Sequence, residues 1–142
     1  MRFLTFLLFC LVSCSPGPEP FQYGLDKCTV CNKSIHNTRS GGELITVKGQ
    51  VLKFDSIECL LKYYKAHEFS GEEYTWITVI DYDEPGVLIP VNDAVFLKRA
   101  LNRDSFANDL IAVSKMEYSG HYLKNAQWTQ GIYWSEALWR YH

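Results

Sequence analysis

Cys28 and Cys31 are separated by two residues in Asp26-Lys27-Cys28-Thr29-Val30-Cys31-Asn32-Lys33, and a third thiol, Cys59, follows at the head of an apolar, helix-periodic stretch. Several chemistries use a pair of thiols at this spacing. Covalent haem attachment needs His directly after the second Cys, and Asn32 stands there. A thioredoxin-like exchange site needs a strand before the pair and a helix after it. Gly24 and the Thr38 to Gly42 stretch supply neither. Zinc takes four ligands, so Cys59 and either His36 or His67 would complete a Cys3His set. Cu(I) is softer and accepts two or three thiolates without a fourth ligand. A Cys28–Cys31 disulfide that staples a loop in an oxidising compartment is the plain structural alternative.

The compartment is legible at the N-terminus. Arg2 precedes a nearly unbroken apolar run from Phe3 to Val12. A membrane span takes about 20 apolar residues, so this run reads as a secretory signal instead. It closes on Leu11-Val12-Ser13-Cys14, which resembles a bacterial lipobox. That resemblance implies that Cys14 is diacylated and becomes the mature N-terminus. Two acyl chains are what stable anchoring requires. Ser15, where the usual inner-membrane retention signal is Asp, tilts the expectation toward the outer membrane. Residues 1–13 are then signal, residues 14–24 a tether stiffened by Pro16, Pro18 and Pro20, and residues 25–142 a folded domain facing the periplasm.

Five Cys are present. Cys10 leaves with the signal and Cys14 carries lipid. Cys28, Cys31 and Cys59 remain, an odd set that cannot pair completely within one chain. The chain has 14 Lys+Arg against 16 Asp+Glu, a net charge of −2 that becomes −3 once Arg2 is removed. That balance excludes a basic nucleic-acid-binding surface of the usual kind. No Ser/His/Asp arrangement, phosphate loop or carboxylate pair stands out, so an enzyme is not expected.

The elements that must position the thiols follow from periodicity. Phe21 to Gly42 reads as irregular. Glu43–Val47 and Val51–Phe54 read as a hairpin turning at Gly49. Asp55 or Ser56 caps a helix that runs to about His67, with Ile57, Leu60, Leu61 and Tyr64 on one face. Cys59 falls in its first turn, where the helix dipole favours thiolate. Asp55 is expected to serve as a cap. Tyr74–Tyr82 alternates as a strand, Asp83-Glu84-Pro85-Gly86 turns, and Val87–Val91, Ala94–Lys98 and Leu110–Val113 are further strands. The second of these three also fits a helix. Ser119–Trp128 and Ser135–Tyr141 read as helices. The fold class is α+β, with hairpin-then-helix (ββαβ-like) units, two of them in one compact domain.

The segments "DKCTVCNKSI" and "GGELITVKGQVLKFDSIECLLKYY" resemble the NosL family of copper lipoproteins, which assist nitrous oxide reductase assembly. The segment "WITVIDYDEPGVLIPVNDAVFL" resembles the family's following strand. The likeness covers most of residues 14–115. It implies an α+β fold of paired units, Cu(I) binding at the periplasmic side, and delivery to a copper-receiving protein. Cys28, Cys31 and Cys59 carry over as thiol ligands, and Asp26 as an outer-shell position. The family's thioether ligands do not carry over. Lys33 and Leu60 stand where Met is usual, and Ser105-Phe106-Ala107-Asn108 lacks the Met of the later family segment.

Overall fold

The computed structural model describes residues 16–98, 110–122, 127–128 and 131–140. Cys14, the expected signal over residues 1–13 and the Ser105–Asn108 stretch lie outside them. Among the described residues no helix is long and apolar enough to cross a membrane.

The α+β class holds. Strand β1 (Gly42–Thr46) pairs antiparallel with β2 (Val51–Phe54) and with β3 (Tyr74–Ile80). The short β4 (Leu88–Pro90) closes the sheet in the order β2-β1-β3-β4. Pro90 has no N–H to give a ladder, and it is tolerated here because β4 is an edge. The β1–β2 loop turns at Gly49, whose φ of 83° is in the left-handed region.

Helix α1 (Ile57–Ala66) lies between β2 and β3 in sequence and buries Ile57, Leu60 and Leu61 against the sheet. Gly42 makes that approach possible. A Cβ there would run into the Thr78 carbonyl and the Leu60 side chain. The order β1-β2-α1-β3 is one ββαβ unit.

The second half is built differently. A 3-10 turn at Val91–Asp93 leads into β5 (Ala94–Lys98), which pairs antiparallel with β6 (Leu110–Ser114) as a separate two-stranded sheet. Helices α2 (Lys115–Gly120) and α3 (Trp134–Arg140) follow. An isolated parallel bridge, Asp81 to Ala112, joins the two sheets. Ala94 and Phe96 of β5 face the main core, while Val95 and Leu97 face a second cluster with Ile111, Val113 and Tyr122. Both faces are buried, so the strand shows no alternation and fits a helical pattern equally well.

Helix α2 begins at Lys115, ahead of the expected start at Ser119, and residues 123–126 of the expected Ser119–Trp128 span lie outside the described residues. Ser114 caps the helix, accepting from the Glu117 N–H at 3.2 Å, so the chain turns helical as soon as β6 ends. Trp128 packs edge-on against Tyr82 and Tyr122.

Candidate metal centre

The thiol loop is shaped by its own backbone. Lys27 bridges Ser34, the Cys28 N–H donates to the Lys33 carbonyl at 2.9 Å, and the Asn32 N–H donates back to the Cys28 carbonyl at 2.9 Å. The reversal needs a left-handed residue just after Cys31. Asn32 supplies it at φ 57°, a conformation Asn accepts more readily than most residues. Thr29 then fastens the loop to β2. Its N–H and its hydroxyl both donate to the Lys53 carbonyl, at 2.9 and 3.0 Å.

That fastening carries the loop to the junction of β2 and α1. There the ligand atoms of Cys28, Cys31, Cys59 and Asp55 all lie within 4.8 Å of one another. The three cysteines are free thiols. Cys28 is buried, Cys59 half-buried and Cys31 exposed, so the group runs from the core to the surface. Among the described residues it is the only such convergence of His, Cys, Asp or Glu side chains.

Of the two expected cap residues, Asp55 and Ser56, it is Ser56 that caps α1, its hydroxyl accepting from the Cys59 N–H at 3.2 Å. Asp55 is thereby released to the thiols, and Cys31 Sγ donates to its Oδ2 at 3.2 Å. Its other oxygen, Oδ1, is buried and accepts no hydrogen bond in good geometry. Burial disfavours the Asp55 charge, but the three neighbouring thiols outweigh it and hold the carboxyl below its ordinary value. A signal for this existed in the sequence. Asp55-Ser56 offers two capping side chains to a helix that uses one, which leaves the other spare.

The thiols respond in the opposite sense. For Cys31, the Lys33 N–H favours thiolate, yet burial, Asp55 and Cys28 together raise the thiol. For Cys59, burial is the main cause of a strong rise, with the Asp55 and Cys28 charges adding to it and the Ser56 hydroxyl opposing. The thiolate expected at the head of α1 is therefore not what the metal-free site favours. Desolvation and a carboxylate in contact outweigh the helix dipole.

Other sequence candidates stand elsewhere. Asp26, expected as an outer-shell group, is outside the set of four. It is ion-paired with Lys53 at 2.8 Å and accepts from the Gln22 N–H at 2.7 Å. Burial works against its charge, but those two partners hold its carboxyl below the ordinary range. His67 sits at the far end of α1, stacked on Tyr63 with Nδ1 at 2.8 Å from the Tyr63 carbonyl oxygen. His36 is exposed beside Gly24. Neither completes a Cys3His set. Lys33 is exposed, and Leu60 is fully buried in the core.

No protein-family model matches the chain, and no curated protein matches it. The chemistry therefore rests on the donor set. Three thiols and one carboxylate at these separations could hold a metal ion.

Proposed function

We propose that this is a lipid-anchored metallochaperone of the bacterial envelope. It binds Cu(I) through the thiolates of Cys28, Cys31 and Cys59 and delivers it to a partner such as a nitrous oxide reductase. The observation that carries the reading is the approach of these thiols and Asp55 to within 4.8 Å, from two stretches of chain far apart in sequence. Thiolates are the preferred donors of Cu(I). The resemblance of the thiol segments to NosL proteins supports the copper reading and the export that goes with it.

Transfer would proceed by ligand exchange at the surface. Cys28 is the buried ligand and Cys31 the exposed one. A partner's soft donor would bond to the ion as the bond to Cys31 breaks, and the Lys33 N–H would support the departing thiolate. Loading displaces thiol protons, because Cys31 and Cys59 are raised in the metal-free protein. Affinity therefore rises with pH. The same raised thiols weigh against a thiol–disulfide oxidoreductase, which needs an accessible low-pKa nucleophile.

Asp55 favours a second reading. Three sulfurs and a carboxylate oxygen suit tetrahedral Zn2+ as well. An anaerobic Cu(I) titration of the reduced protein against a coloured chelator, beside a Zn2+ titration, decides between them. One equivalent of Cu(I) held against the chelator and lost in Cys→Ser variants supports the chaperone. Tight Zn2+ with no competition for Cu(I) supports the second reading. Neither metal bound would remove both.

A further inference from the structure

Strand β1 carries a glutamate in its middle, Glu43, that is 0% exposed. In register it lies opposite Lys53 of β2 and Thr78 of β3. Side chains alternate across a strand, so Glu43 and Lys53 occupy the face opposite Gly42 and Leu44, away from α1. The N-terminal segment covers them. Pro16 approaches the Gly49 turn, the Glu19 N–H donates to Glu43 Oε1 at 3.0 Å, and the Lys53 ammonium donates to the Pro20 carbonyl at 3.3 Å. The same ammonium lies over the Phe21 ring, 5.4 Å from its centroid. Glu43 Oε2 is buried with no hydrogen-bond partner.

Lys53 links this segment to the thiols. Its ammonium holds Pro20 and Asp26, and its carbonyl accepts both bonds from Thr29 inside the C-x-x-C loop. We infer that residues Pro16–Phe21 form a strap clasped to the sheet by Glu43 and Lys53, and that ionisation of Glu43 loosens the strap and with it the seat of the thiol loop. The clasp does not depend on the metal reading, and it would act on metal release only if that reading holds.

The electrostatics give the direction. Burial raises the Glu43 carboxyl to about 7, the Glu19 N–H and the Lys53 ammonium pull it down, and the Glu19 and Asp26 carboxylates push it up. A neutral carboxyl fits beneath the strap. A charged one leaves an anionic oxygen buried without a donor, a cost that hydration relieves when the strap lifts. Closure is therefore favoured below about pH 7 and weakened above it. The strap also bears the tether through which Cys14 would reach the membrane, so its release lengthens the reach of the domain.

The test is backbone amide exchange and chemical shift in the full mature chain, by NMR, from pH 5.5 to 8.5. The expected result is a Glu19 N–H whose protection, corrected for intrinsic exchange, falls about tenfold or more across this range. In Glu43→Gln, a neutral acceptor of the same shape, protection should stay constant. The Thr29 amide shift should follow the same midpoint in the wild type, and that component should vanish in Glu43→Gln. A Glu19 N–H unprotected throughout, or an identical pH course in both proteins, would overturn the strap. A Thr29 shift indifferent to Glu43 would overturn its coupling to the thiols. Cu(I) titration of the same samples reports separately on the metal site.

Discussion

Cys31 Sγ donates a hydrogen bond to Asp55 Oδ2 at 3.2 Å, across 24 residues of chain. The contact joins the tip of the thiol loop to the first of the two residues between β2 and α1. It places a carboxylate where the thiols must lose their protons to bind metal. The charge that would favour a cation in the group also raises the thiols of Cys31 and Cys59.

Asp55→Asn should lower the thiol pKa of Cys31 and Cys59, because it removes a carboxylate that raises both. The pH dependence of iodoacetamide alkylation reads this directly, and Cys31 should shift to lower pH. Zn2+ affinity should fall by about tenfold or more, while Cu(I) affinity should change less if the proposed all-sulfur site holds it. An unmoved alkylation profile would detach Asp55 from the site.

Cys59→Ser should weaken Cu(I) binding by about tenfold or more, or about 1.4 kcal/mol. Competition with a coloured Cu(I) chelator under anaerobic conditions measures it. Cys59 is the one thiol outside the C-x-x-C loop, so an unchanged affinity would reduce the site to two ligands.

Glu43→Gln should raise stability at pH 8 and leave it nearly unchanged at pH 4. The folded carboxyl is raised to about 7. Its contribution is fully present below its ordinary unfolded value and is lost as pH rises toward 7. The gain at pH 8 should be on the order of 1–3 kcal/mol, read by urea unfolding at the two pH values. Equal differences at both would show that Glu43 does not titrate in this range.

Gly42→Ala should be strongly destabilising. The added methyl meets the Thr78 carbonyl and Leu60, so either β3 or α1 must move. A loss of about 2–4 kcal/mol is expected from overpacking at a sheet–helix contact. Ser56→Ala should cost about 1 kcal/mol through loss of the α1 cap. Both are read from chemical denaturation midpoints.

Local patterns in the sequence determined much of this protein. The apolar, β-prone composition of Glu43–Val47 and Val51–Phe54, the apolar spacing of Ile57, Leu60 and Leu61, and Gly49 at the turn each express a preference of the residues themselves, and β1, β2 and α1 follow them. The C-x-x-C spacing marked Cys28 and Cys31 for the same reason. The start of α2 is set by another local signal, Ser114 three residues before Glu117, which opens the helix ahead of Ser119.

Tertiary structure decided the rest. Asp26 and Asp55 look equivalent as carboxylates near thiols, and the long-range position of Lys53 separates them. Lys53 takes Asp26 by its ammonium and draws Thr29, and hence the thiol loop, onto its carbonyl beside Asp55. The rise of the Cys59 thiol and the burial of Glu43 are equally non-local. Each depends on how much water the packed chain excludes, and that quantity belongs to the assembled fold and to no single stretch of residues.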